Sequence, residues 1–156
     1  MNGNVDNGPP AAPQVGRCAD RRWEHFPHGA DVGIRGIGPT IEIAFAEAAR
    51  ALTAVLVDPR FVVPVLTVEV RCSGTNTEDL FYVWLNAVIY EMATRHMLFT
   101  DALVSIDGNR LTAALRGEHV SPDRHEPAVE IKGATYTALN VHRQEDSWIA
   151  ECVVDV

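Results

Sequence analysis

Apolar residues recur at two different periods along this chain, and the order in which the two periods follow one another restricts the fold more than any other feature. Ile41, Ala44, Phe45, Ala48, Leu52, Val55 and Leu56 keep the three-and-four spacing of one helical face, with Glu42, Glu47 and Arg50 falling elsewhere. Thr40, just after Gly38-Pro39, is a suitable N-cap, and Asp58-Pro59 closes the helix. Leu66, Val68, Val70 and Cys72 then alternate with Thr67, Glu69 and Arg71, the period of a strand with one wet face. After a turn at 73–76, Thr77 caps a second helix running from Glu78 to about Met97, with Leu80, Val83, Trp84, Ala87, Val88 and Met92 on its apolar face.

The flanking segments read as β structure. Trp23 to Phe26 and Val32 to Ile37 predict two strands before the first helix. After the second, strands are expected over 102–106, 111–116, 129 to about 141, and 147–154, with a turn at Asp107-Gly108-Asn109 in which Asp107-Gly108 is a strong hairpin signal. Two early helices and a run of late strands make an α+β protein, a two-layer sandwich with both helices packed on one face of a mixed, largely antiparallel β-sheet. Residues 1–21, rich in Asn, Gly, Pro and Ala without a period, are expected to form a disordered tail, which leaves 22–156 as a single domain.

Composition narrows the function. Hydrophobic residues at 47% and charged residues at 22% are those of a globular domain. No apolar run approaches the roughly 18–20 residues that cross a bilayer, and a secretion signal pattern is missing, so a cytoplasmic protein is expected. A net charge of −8, with twelve Arg and one Lys, opposes the counterion release that drives binding to a phosphate backbone. Direct nucleic-acid binding is therefore not expected; docking on a basic partner, or gathering carboxylates around a hard cation, suits the charge better. Cys18, Cys72 and Cys152 are odd in number and far apart, which suits buried thiols rather than a disulfide framework or a paired-Cys zinc site.

Four constellations could carry chemistry. In His28-Gly-Ala-Asp31-Val-Gly33 an Asp lies between glycines at a strand entrance, where a ligand could approach the backbone; the same Asp could simply close an Asx-turn. Asp155 and Val156 end the chain, and with Asp31 they would supply part of the six to eight oxygens that calcium takes, if the strands are neighbours; a solvated terminus is the alternative. Ser121 to Pro127 concentrates Arg124, His125 and Glu126 in a loop suited to acid–base work, to partner binding, or merely to connecting strands. Lys132 is the single lysine, a point charge among arginines or an accident of composition. Phosphate-binding Gly-rich loops, Gly-x-Ser-x-Gly elbows and His-Glu-x-x-His helices do not occur, so a nucleotide enzyme is not expected.

Taken in order, these motifs resemble the archease family. The resemblance runs from about Trp23 to Val156 and is carried by His28 to Ile34, the helix beginning at Thr40, Trp84-Leu-Asn86, Arg116-Gly-Glu118, Asp123 to Pro127, Glu130 to Tyr136, and Asp155-Val156. It implies a small α+β sandwich in which Asp31, Asp155 and an oxygen of Val156 hold a divalent cation, typically calcium. It also implies a protein that catalyses nothing alone but serves the GTP-dependent RNA ligase of the RtcB type in tRNA splicing, promoting guanylylation of the ligase's histidine and its repeated turnover. His28, Arg124, His125, Glu126 and Lys132 would then contact the partner or support the cation's ligands. The chain departs from the family pattern at Gly29, Ala87 and Thr137, none of them an implied metal ligand. Two other classes remain open: a chaperone-like modulator of a tRNA-modifying enzyme such as a methyltransferase, and a small metal-dependent hydrolase using His28, Asp31, His125 and Asp155.

Overall fold

A computed structural model describes residues 20–127 and 129–156. Its elements are β1 (Arg22–His28), β2 (Asp31–Gly38), α1 (Ile41–Leu56), a 3₁₀ turn (Pro59–Phe61), β3 (Leu66–Ser73), α2 (Thr77–Arg95), β4 (Met97–Asp107), β5 (Arg110–His119), β6 (Gly133–Ala134), β7 (Asn140–Gln144) and β8 (Ser147–Asp155). The α+β class stands as expected. The strands, however, divide into two antiparallel sheets, one ordered β1-β2-β8-β6 with β7 also on β8, the other β3-β5-β4. Alternation in a sequence identifies a strand but not its partner, so the division was not visible in it.

The helices join the two sheets. α1 packs on β1, β2 and β8 of the larger sheet and on β4 of the smaller; α2 packs on β3, β4 and β5 and also on β6 and β7. This explains why α1 is buried almost all round from Ala44 to Thr53. Its alanines keep it thin enough to fit. At Gly36 of β2 a Cβ would lie 1.9 Å from the Ala44 carbonyl oxygen and 2.5 Å from the Ala48 nitrogen, so only glycine permits this helix-to-strand approach. Glu47, expected on the wet side of α1, is fully buried there and is held by Arg21 at 2.7 Å and Arg50 at 3.2 Å.

Capping residues account for the helix limits. Thr40 accepts the Ile43 N–H at 3.2 Å, as its sequence position suggests. For α2 the cap is Asn76 rather than Thr77, its side chain accepting the Asp79 N–H at 2.8 Å, and the helix ends earlier than expected because His96 takes a left-handed conformation. The buried face of α2 is Leu80, Phe81, Trp84, Leu85, Val88, Ile89 and Met92, leaving Val83 and Ala87 half-buried. Trp84 donates its indole N–H to the Phe45 carbonyl at 2.9 Å, tying the two helices inside the core. Each fully buried Leu or Phe there contributes about 1.5–3 kcal/mol.

One other expectation changes. The strand expected over 129 to about 141 is split into Gly133–Ala134 and the start of β7 at Asn140, because a turn closed by the Leu139 N–H on the Tyr136 carbonyl, with Ala138 at φ 55°, interrupts it. The turn expected at Asp107-Gly108-Asn109 stands: Gly108 and Asn109 close the β4–β5 hairpin, flanked by the Asp107–Arg110 pair. Cys152 is buried and burial pushes its thiol up to about 12, whereas Cys72 is half-buried. Cys18 and residues 1–19 of the expected tail lie outside the described residues.

Candidate functional site

The register of the larger sheet decides which sequence motifs meet. β2 and β8 are paired from Val32↔Val154 to Gly38↔Trp148, and the ladder continued by one step sets Asp31 opposite Asp155. Arg35 and Glu151 are cross-strand partners joined by a 2.6 Å ion pair, so they share a face of the sheet. Asp31 and Asp155 lie an even number of residues from them and therefore belong to that same face, opposite to the one on which Ile34, Cys152 and Val154 meet the core. His28 is the partner of Asp31 across β1–β2 and is exposed at the end of that row. Asp155 and Val156 are half-buried, as is Asp31.

Two polar contacts fix the other side of Asp155. Gly133 of β6 is its cross-strand partner, and the Lys132 N–H donates to the Asp155 carbonyl at 2.8 Å. Asn86 of α2 accepts the Ala134 N–H on its side-chain oxygen at 3.0 Å, anchoring a strand only two residues long. Sequence reasoning gave Asn86 no role. A polar amide on a helix otherwise facing an apolar core is the signal that could have found it, since such a group needs a partner. Thus His28, Asp31, the Lys132 backbone, Asp155 and Val156 come together, with the Lys132 side chain exposed.

The glycine beside Asp31 has a different use from the one its spacing suggests. A Cβ on Gly33 would lie 2.2 Å from the Phe26 ring, so the place expected to admit a ligand is filled by that ring. Arg35 stacks over the same ring, 4.8 Å from its centroid, and reaches Glu24 at 2.9 Å as well as Glu151. Arg35 in turn holds the Glu24 carboxyl below the ordinary carboxylate range, against the upward push of burial, with Arg22 adding to it.

The Ser121–Pro127 loop does not join this row. His125, expected at a surface, is 1% exposed: its Nδ1 accepts the Ser121 N–H at 2.9 Å and its Nε2 donates to the Phe61 carbonyl at 3.1 Å. With both ring nitrogens bonded internally, it is neither a partner contact nor a cation support. Arg124 is exposed and ion-paired to the buried Glu118 of β5, which also accepts the Val63 N–H. The Arg124 guanidinium holds the Glu118 carboxyl below its usual value against the effect of burial, and the Val63 N–H reinforces it. Glu126 is exposed. Pro127, Val129, Glu130 and Ile131 border an apolar cavity of about 290 Å³ that Leu56, Ile89 and Met92 floor.

The donor chemistry near Asp155 suits a hard cation. Two carboxylates and backbone oxygens are the ligands calcium takes, and among the described residues neither Asp31 nor Asp155 is in an ion pair. Among the described residues no three His, Cys, Asp or Glu side chains converge, so water would have to complete such a shell. The hydrolase reading loses His125, which lies in the loop fastened to Phe61. No helix among the described residues is long and apolar enough to cross a membrane.

Comparison with known proteins agrees with this arrangement. The family model described as "Archease protein family (MTH1598/TM1083)" matches residues 23–156. Protein archease of Pyrococcus furiosus is 36% identical over 141 residues, covering 87% of this chain and 99% of that protein. Its counterpart in Thermococcus gammatolerans is 37% identical with the same coverage. The solution structure of Methanobacterium thermoautotrophicum protein 1598 superposes with a TM-score of 0.73 at 25% identity, covering 86% of this chain and 98% of that one. The crystal structure of a Thermotoga maritima protein described as "an archease, possible chaperone" shares the fold, with a TM-score of 0.55 at 22% identity over 85% of this chain and 96% of that one. With the motifs, the fold and the relatives in agreement over nearly the whole described chain, this protein belongs to the archease family.

Proposed function

We propose that this chain is an accessory protein, not itself a catalyst, that activates a cytoplasmic GTP-dependent RNA ligase of the RtcB type by promoting its guanylylation, with a divalent cation, calcium foremost, at Asp31, Asp155 and an oxygen of Val156. The observation that carries the reading is the β2–β8 register, which sets two carboxylates, without a cationic partner among the described residues, side by side at one end of a sheet face. When bound, the cation would supply positive charge for the phosphate oxygens of GTP in the ligase's site. Asp31 and Asp155 hold that charge at the protein surface; the Lys132 N–H and Asn86 keep the Asp155 backbone and β6 in place beneath it. His28, next in the row, is positioned to meet the partner.

The test counts turnovers per ligase with excess GTP and broken tRNA, adding wild type, Asp31→Ala or Asp155→Ala. Many turnovers with wild type alone support the reading; stimulation that survives both substitutions sinks the cation's role. A second reading, chaperone-like modulation of a tRNA-modifying enzyme such as a methyltransferase, is supported by the exposed Phe61, Val65, Leu103 and Tyr136 and by the Thermotoga relative's description. Binding to such an enzyme that a chelator leaves unchanged would favour it.

A further inference from the structure

From the last residue of the 3₁₀ turn to the start of β3 the chain turns three apolar side chains toward solvent. Phe61 is 64% exposed, Val63 46% and Val65 67%, while Val62 between the first two is buried. This is the period of an extended strand, but the backbone is held largely by side chains. Glu118 accepts the Val63 N–H, His125 donates to the Phe61 carbonyl, and Arg116 donates to the Pro64 carbonyl at 3.2 Å; the Val65 N–H goes to the Gly117 carbonyl at 3.1 Å.

Glu118 and His125 are both buried, and burying polar groups costs free energy unless every one is bonded. Here they fix a segment whose own side chains face water. A contiguous exposed apolar patch marks an interaction site, and a patch fixed before association loses less entropy when it binds.

The border of the ridge says what would cover it. Arg60 is 81% exposed over an Asp58 at 34%, and Arg124 is 51% exposed over a Glu118 at 7%, so in each pair the guanidinium is the outer group. Arg116 is also exposed and in no ion pair among the described residues; Asp101, its cross-strand partner, is an exposed carboxylate beside it. In both ion pairs the guanidinium is thus the outward group, although Asp58 and Asp101 also reach the surface, on a chain whose net charge is −8.

We infer that Phe61, Val63 and Val65 form a preorganised docking ridge for a protein partner that presents an apolar patch bordered by carboxylates. Resting on the function proposed above, that partner is the client ligase, and the ridge supplies affinity while Asp31 and Asp155 supply activation. The Ser121–Pro127 loop then serves binding indirectly, as the clamp that holds the ridge.

The experiment measures two quantities for each variant with purified host ligase: the dissociation constant and the turnovers per ligase. Phe61→Ser/Val65→Ser is expected to raise the dissociation constant tenfold or more while keeping the wild-type melting temperature, with turnover restored at high protein concentration. Arg60→Glu/Arg116→Glu should weaken binding and flatten its salt dependence. Asp155→Ala should abolish stimulation while losing far less affinity than the ridge variants. Ridge variants that bind as tightly as wild type overturn the inference. So does a free protein that is dimeric in solution and becomes monomeric in the ridge variants, since the occupant is then a second copy. Weakened binding by ridge variants, where even wild type leaves turnover unchanged, supports the ridge and removes the activation reading instead.

Discussion

His125→Ala separates a buried clamp from a surface contact, and its cost can be worked from the two bonds the ring makes. The Ser121 N–H on Nδ1 and the Nε2 bond to the Phe61 carbonyl are each worth about 1 kcal/mol net. Deleting a ring that is 1% exposed adds about 1–2 kcal/mol for lost packing. The expected loss is therefore about 3–4 kcal/mol, and at about 2–4 °C per kcal/mol for a domain of this length the melting temperature falls by roughly 6–16 °C. Urea denaturation followed by tryptophan fluorescence gives the loss, and hydrogen exchange should show faster exchange at Ser121 and along 61–65. His125→Asn, which keeps an acceptor near the Nδ1 position, should recover about half. A surface contact would leave stability within about 0.5 kcal/mol of wild type. Finding that small value, with unchanged exchange at 61–65, would refute the clamp and the ridge argument built on it.

Three other outcomes are expected. Calcium at about 100 times its dissociation constant should stabilise wild type by about 2.7 kcal/mol and leave Asp31→Asn and Asp155→Asn unmoved; a flat wild-type melting curve over a calcium titration would contradict the proposed ligands. Gly36→Ala should cost about 3 kcal/mol, because the new Cβ meets helix backbone rather than a flexible side chain, and a near-neutral denaturation midpoint would show that α1 can move away from β2. Glu118 has a folded pKa below its unfolded value of about 4.3, so its contribution is complete above that value and is lost as pH falls through the lower, folded one. The stability gap between wild type and Glu118→Gln should hold steady above about pH 5 and close in more acidic solution; a gap that widened there would reverse the sign of the argument.

What could be read from the residues alone follows from which interactions are local. Helix α1 and strand β3 were legible because a period and a cap are written in adjacent residues, as at Thr40 and in Leu66 to Cys72. Glu47 was misplaced because α1 is covered on nearly every side, and the ion pairs that allow a carboxylate inside depend on Arg21, distant in sequence. Asp31 and Asp155 could be named as candidates from their chemistry, but their adjacency depends on a pairing across more than a hundred residues. His125 was misread for the opposite reason: its loop is polar in composition, while its partners, Phe61 and Glu118, belong to other elements. Asn86 and Glu118, though present in the sequence motifs, were given no role because the backbone N–H that each accepts, of Ala134 and of Val63, lies far off in sequence.

Among the described strands β8 is the last in chain order, and β2, β6 and β7 all pair on it. Sheet β3-β5-β4 is assembled from consecutive chain segments, so it can form early and locally, while the β1–β2 hairpin must wait for a strand more than a hundred residues downstream. Until then α1, whose alanines suit it to a covered place between two sheets, has only one of them to lie on. The protein therefore completes its larger sheet and aligns Asp31 with Asp155 in the same closing step, and a chain cut short before Ser147 would lose both together.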